Sequence, residues 1–157
     1  MILREPKLTR DDCRFIAECV EDWPDSDRGP VYDHDVRYWI TQWAGRDREK
    51  GLIGEVEGKP VGFIIYMQRF FCAMVYQIAV HPSHRGQGHG KGIWGELQDI
   101  LRNEGVVVCE FEAPRYEGSI VDKLVDSGRF EKIGEGVGLH TGLPTVRGRV
   151  FADTPIA

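Results

Sequence analysis

Between Ile78 and Gly92 the chain runs Ile-Ala-Val-His-Pro-Ser-His-Arg-Gly-Gln-Gly-His-Gly-Lys-Gly. An apolar, β-branched segment stops at a proline, and glycine then occupies every second position from Gly86 to Gly92. Beyond the glycines, Ile93, Trp94, Leu97, Ile100 and Leu101 recur at three- and four-residue steps, one apolar stripe of a helix. Gly105 is the expected stop signal, and Val106 to Phe111 follow as a short β-branched strand. Strand, glycine turn, helix and strand make one crossover unit, right-handed by strong preference. The turn matters chemically. Glycines let successive backbone N–H groups converge, and the helix N-terminus behind them adds partial positive charge, which together form a cradle for a diphosphate.

Two other phosphate-binding patterns fail on spacing. A Walker A loop needs Gly-x-x-x-x-Gly-Lys-(Ser/Thr), but Arg85 stands where its first glycine belongs and Gly92 where its hydroxyl belongs. Gly90, Gly92 and Gly95 match the dinucleotide fingerprint Gly-x-Gly-x-x-Gly, with Glu110 or Glu112 about twenty residues further on. That fingerprint opens in a tight turn directly after its strand, whereas nine residues separate Val80 from Gly90 here.

The rest of the chain supplies a fold around this unit. Ile2-Leu3-Arg4 is a first short strand. Thr9, with Asp11 and Asp12 behind it, caps a helix whose apolar face is Phe15, Ile16, Cys19 and Val20. A turn-rich stretch from Trp23 to Pro30 leads to a second helix over Asp35 to Trp43. Gly51–Val56 and Val61–Tyr66 are strands joined at Glu57-Gly58-Lys59-Pro60, and Ala73–Val80 leads into the cradle. Ser119 to Ser127 reads as a short helix. Phe130–Gly134 and Arg149–Ala152 read as final strands, with a long Gly/Thr/Pro-rich loop between them. The expected class is α+β, a mixed central sheet with helices on both faces, and residues 1–157 are expected to form a single domain.

Composition excludes more than it assigns. The formal charge is −5, and the segment from Glu21 to Asp35 carries that much by itself, so generic nucleic-acid binding through a basic face is not expected. No apolar run is long enough to span a bilayer, and no signal peptide is evident. Cys13, Cys19, Cys72 and Cys109 show no Cys-x-x-Cys spacing and are expected as reduced core thiols in a cytoplasmic protein. His81, His84 and His89 lack a nearby fourth ligand and are expected on the loop surface, with no metal.

Ile78, Val80, Pro82, Arg85, Gly88 and Gly90 match an apolar-x-apolar-x-Pro strand followed by (Gln/Arg)-x-x-Gly-x-(Gly/Ala). In this the sequence resembles the GNAT superfamily of acyl-CoA-dependent N-acyltransferases, and the predicted order of elements is also that of the family. The resemblance implies acetyl-CoA as the acyl donor. It implies Ile78, Ala79 and Val80 as the pantetheine edge, and Arg85, Gly86, Gln87, Gly88, His89, Gly90 and Lys91 as the diphosphate cradle. Arg85 and Lys91 are expected to add side-chain charge there.

The implied reaction is attack of a neutral amine on a thioester. A primary amine is mostly protonated at neutral pH, a handicap of about 4–5 kcal/mol, so a base must take a proton. Glu110 is the candidate, because its strand resembles one on which several family members carry that base; Glu112 projects to the same face. Many members place a tyrosine acid where this chain has Leu124, and their asparagine after the strand has no clear counterpart in Pro114-Arg115-Tyr116. Tyr116 is the candidate substitute acid. Trp23, Asp25, Tyr32 and Asp33, with Asp27, Asp35, Trp39 and Trp43 nearby, interleave carboxylates with aromatic walls and suit a cationic amine. The expected partner is thus a small or amine-bearing acceptor, with a homodimer left open. A protein lysine or N-terminal acetyltransferase and a non-catalytic acyl-CoA-binding module are the alternatives.

Overall fold

A computed structural model describes residues 1–7, 9–22, 49–114, 131–137 and 144–151. Among them, seven strands form one sheet: β1 (Ile2–Arg4), β2 (Glu49–Val56), β3 (Lys59–Arg69), β4 (Cys72–Val80), β5 (Val108–Pro114), β6 (Glu131–Val137) and β7 (Pro144–Phe151). Their spatial order is β1-β2-β3-β4-β5-β7-β6. Only β4 and β5 are parallel; every other pair is antiparallel. Helix α1 (Arg10–Cys19) and helix α2 (His89–Asn103) cover opposite faces, as the α+β expectation required. The helices expected at 35–43 and 119–127 lie outside the described residues.

Each face buries the side chains that strand alternation assigns to it. Phe15, Ile16, Cys19 and Val20 of the α1 region meet Ile53, Phe63, Ile65 and Ala79. Ile93, Trp94, Leu97 and Leu101 of α2 meet Leu52, Ile64, Tyr66, Ala73, Val75, Cys109, Val146 and Val150. Thr9 caps α1 as expected, its hydroxyl accepting the Asp12 N–H at 3.3 Å. Asp12 then ties three elements together. Its carboxylate accepts both Arg4 terminal nitrogens at 2.7 and 2.8 Å and the Lys7 N–H at 2.6 Å, while Arg4 Nε donates to Glu55.

Two glycines set how closely α2 approaches. Gly54 and Gly62 face each other across β2 and β3. A Cβ on Gly62 would stand 2.4 Å from the Ala79 carbonyl oxygen and 2.7 Å from Ile93 Cδ1; one on Gly54 would meet Ile93 Cγ1 at 2.8 Å. The pair is a seat for Ile93, and it brings the first turn of α2 against the end of β4. The helix closes in a Schellman motif: Gly105 (φ 76°) and Val106 return their N–H groups to Arg102 and Leu101.

Several boundaries differ from the sequence expectation. Strand β5 begins at Val108, because Val106 belongs to the helix cap. The β2–β3 turn is only Glu57-Gly58, both with positive φ, so Lys59 and Pro60 are already in β3. The long loop expected before Arg149 is largely strand: β6 extends to Val137 and β7 starts at Pro144, with Glu135, Gly136 and Val137 paired to Val146, Thr145 and Pro144. Glycine weakens local β-propensity, but cross-strand pairing overrides it.

Candidate active site

The parallel contact between β4 and β5 is short. Cys72 to Val75 pair with Val108 to Phe111, and there the ladder ends, although β4 runs on to Val80 and β5 to Pro114. The two strands therefore splay apart. The opening coincides with a bulge: Ile65 pairs with Gln77 and Tyr66 with Val75, which leaves Tyr76 as an extra residue on β4. A bulge kinks and twists the strand that carries it. Ile78, Ala79 and Val80 form the β4 wall of the splay, still paired to β3 on their other edge.

The glycine loop closes the wide end of the opening. Gly86 and Gly88 take φ 76° and 80°, the left-handed region that glycine adopts without strain. Gly88 is the N-cap of α2 and has no side chain to offer, and the first main-chain bond of the helix runs from Gly92 N–H to the Gly88 carbonyl. The N–H groups of His89, Gly90 and Lys91 therefore have no helical acceptor. Gly86, Gln87, Gly88 and Lys91 are exposed. The result is an uncapped helix start in an exposed glycine loop, against the end of β4, a geometry that can hold an anion.

Arg85 behaves differently from the rest of the loop. Its Nε donates to the Val80 carbonyl at 3.0 Å, one terminal nitrogen donates to the Cys19 carbonyl at 3.2 Å, and both terminal nitrogens reach the Asp22 carboxylate. The side chain is a clamp between the end of β4 and the C-terminal end of α1. Its hydrogen bonds hold the Asp22 carboxyl below its ordinary pKa.

The histidines form a column beside the loop. His81 stacks on Phe15 at 5.5 Å between ring centres, His84 lies 5.9 Å from His81, and His89 lies 6.0 Å from His84. His81 Nδ1 accepts the Ser83 N–H and Nε2 stands 3.4 Å from Glu18. Among the described residues, no three His, Cys, Asp or Glu side chains are grouped to hold a metal.

Glu110 lies on β5 one position before the splay, in register with Met74 on one side and Arg149 on the other. Its carboxylate is 3.6 Å from an Arg149 terminal nitrogen, and its side chain is 22% exposed. Glu112 is in register with Arg147. Arg149 and Arg147 were not singled out from sequence. Their signal is alternation with buried Val146 and Val150, but which carboxylates they face depends on strand order.

Cys109 is fully buried, and burial pushes its thiol, like that of Cys19, to about 12, so both are core thiols rather than nucleophiles. Tyr116, Trp23, Asp25, Tyr32 and Asp33 lie outside the described residues, as do Asp27, Asp35, Trp39, Trp43 and Leu124. No helix among the described residues is long and apolar enough to cross a membrane.

Known proteins resemble this chain in sequence or in fold. The chain is 29% identical over 112 residues to an L-2,4-diaminobutyric acid acetyltransferase of Nocardia farcinica (strain IFM 10152); the match covers 69% of this chain and about half, 54%, of that protein. A GNAT-family protein from Desulfovibrio desulfuricans superimposes with a TM-score of 0.74 at 13% identity, covering 96% of this chain and 98% of the other. An aminoglycoside 6'-N-acetyltransferase complexed with coenzyme A gives 0.70 at 12% identity, covering 97% of each chain. These two likenesses concern the fold. The family model for GNAT acetyltransferases matches residues 16–120, a span that holds the splayed strands, the glycine loop and Glu110, and the chain belongs to that family.

Proposed function

We propose that the protein is an N-acetyltransferase that uses acetyl-CoA and acts on an amine-bearing small molecule by direct, base-assisted attack. The observation that carries this reading is the coincidence of the β4–β5 splay, the Tyr76 bulge and the uncapped start of α2 at the open end. The fit is chemical: extended backbone at Ile78–Val80 suits an amide-containing arm, and the outward N–H groups of the loop suit a diphosphate. Acetyl-CoA, when bound, supplies an activated acyl group: the amine nitrogen bonds to the carbonyl carbon, the carbon–sulfur bond breaks and the thiol is released.

The chain's residues divide the remaining work. Gly86 to Lys91 bind the anionic end, and Ile78 to Val80 orient the arm along β4. Glu110 takes the proton that the amine must lose, directly or through a water, and Arg149 supplies the neighbouring countercharge. With no tyrosine at position 124, the leaving thiolate takes its proton from solvent or from Tyr116. A thiol of ordinary pKa near ~8.5 makes water a sufficient acid.

Thermal stabilisation by acetyl-CoA tests the donor site, and thiol release across a panel of small amines tests the transfer. Stabilisation and amine-dependent release together are the expected result. Stabilisation without release from any amine would make the protein an acyl-CoA-binding module.

A further inference from the structure

We infer that the acceptor is a carboxylate-bearing amine, and that Arg149 and Arg147 hold its carboxylate while Glu110 receives its reactive amine; this rests on the acetyl-transfer reading above. On the face opposite α2, the sheet register places Met67, Met74, Glu110, Arg149 and Glu131 in one row across β3, β4, β5, β7 and β6. Two residues along β7, toward the splay, Arg147 occupies the next position on that face. Cys109 and Val150, between them in sequence, point the other way into the α2 core. Glu110, Glu131, Arg149 and Arg147 therefore share one face, with Glu110 and the arginines beside the opening between β4 and β5.

Arg149 has donors to give. The terminal nitrogen of Arg149 is 3.6 Å from Glu110, beyond a normal hydrogen bond. Its Nε is buried and has no hydrogen-bond partner. An unsatisfied buried N–H on a cation is costly, and such groups call for an explanation. A carboxylate is the ligand whose planar, two-oxygen geometry matches the guanidinium fork. Arg147, exposed and two positions along the same strand, adds a second positive charge about 7 Å away along the backbone.

Geometry also limits the size of the ligand. β5 and β7 are neighbours about 4.8 Å apart, so the carboxylate base and the arginines lie one strand apart. An amino acid whose second amine is a few bonds from its carboxylate spans that gap. A polyamine would place a positive charge against the arginines, a like-charge contact that disfavours it.

Matched pairs differing only in the carboxylate test this directly: 2,4-diaminobutyrate against 1,3-diaminopropane, ornithine against putrescine, and lysine against cadaverine. In at least one pair, the carboxylate-bearing member should have a kcat/KM roughly tenfold higher or more. Arg149→Gln and Arg147→Gln should each pull that ratio toward one, with the acetyl-CoA Kd as the control for an intact donor site. Arg149→Lys, which keeps the charge and loses the fork, should fall between. A wild-type ratio of one or less in every pair, or a ratio intact in both glutamine variants, overturns the proposal. If Arg149→Gln does not fold, the exposed Arg147→Gln decides. If no amine gives thiol release, the transfer reading fails, and calorimetric titration of the same pairs into CoA-loaded protein judges the site. Carboxylate-dependent binding supports it, and equal or absent binding overturns it.

Discussion

The donor end and the Glu/Arg face of the sheet are built in opposite ways. The proposed donor end is one contiguous stretch, from β4 through the glycine loop to α2, seated on Gly54 and Gly62 of β2 and β3, where a side chain would collide with Ile93. The Glu/Arg face is assembled from residues far apart in sequence, Glu110, Glu131, Arg147 and Arg149, brought together by register alone. The donor end tolerates few changes of volume because glycine contacts and left-handed backbone define it. The other face tolerates changes of volume and responds to charge. A substitution should therefore act through packing in the first region and through electrostatics in the second.

Glu110→Gln is the largest expected effect and the sharpest test of that separation. It keeps the shape and removes the proposed base, so kcat should fall about 10²–10⁴-fold while the acetyl-CoA Kd stays close to wild type. Steady-state kinetics with calorimetric binding measures both. An unchanged kcat would move the base elsewhere, and a matching loss of acetyl-CoA affinity would mean the two regions are not separable.

Gly62→Val should act purely by volume. The added carbon meets a backbone oxygen and Ile93 at once, so either β4 or the first turn of α2 must move. Overpacking of this kind costs about 1–3 kcal/mol, and a backbone clash belongs at the upper end. The cost should appear as a lower urea midpoint, with weakened acetyl-CoA binding because the loop moves with α2. Gly134 on edge strand β6 is the counterpart, with nothing within 4 Å of its Cβ position. Gly134→Ala should stay within about 0.5 kcal/mol of wild type. Equal effects at the two glycines would refute the contrast.

Asp12→Asn removes the carboxylate that joins β1 and α1 through Arg4, with a loss of about 1.5–3 kcal/mol expected for hydrogen bonds to a charged group. Arg4 hydrogen bonding, first of all, holds the Asp12 carboxyl below its ordinary pKa. A depressed carboxyl adds stability that is fully present above its unfolded pKa near ~3.9 and is lost as pH falls through its folded value. The gap between wild type and variant should thus be complete at neutral pH and close below about pH 4. Denaturant titrations across that range measure it, and a gap independent of pH would mean that packing rather than charge is lost.

Local features were the ones legible in the sequence. The Thr9 cap, the α2 stripe, the Gly105 stop and the glycine loop depend on residues a few positions apart, and each stands where periodicity and capping chemistry place it. What depends on partners distant in the chain was not legible. The Tyr76 bulge exists because β3 and β4 pair with unequal residue counts. The β6–β7 hairpin forms from glycine-rich segments whose own propensity points to a loop, because each gains a ladder from the other. Glu110 is a candidate from its place on a strand, whereas Arg149 gains its bearing on Glu110 from β7 lying beside β5. The role of Arg85 also needed the fold, since its partners Cys19 and Asp22 belong to the α1 region.

Arg85 is where the contrast between the regions is most easily misjudged, and the last prediction turns on it. As a positive residue in an anion cradle, it would be expected to bind phosphate. Its donors instead engage Val80, Cys19 and Asp22, the contacts of a clamp on the loop. The Asp22 pair is largely exposed, with half of the Asp22 side chain in solvent, and such pairs contribute about 0–1 kcal/mol. Asp22→Asn should therefore lower stability slightly, weaken acetyl-CoA binding only modestly, and leave kcat unchanged at saturation. If Arg85 acts as a clamp, Arg85→Ala should resemble Asp22→Asn in acetyl-CoA affinity and in the salt dependence of that affinity, with a further small loss of stability from the two released carbonyls. If its guanidinium binds the diphosphate, Arg85→Ala should weaken acetyl-CoA far more than Asp22→Asn and flatten the salt dependence, because a charge–phosphate contact is screened by ions and a main-chain cradle less so.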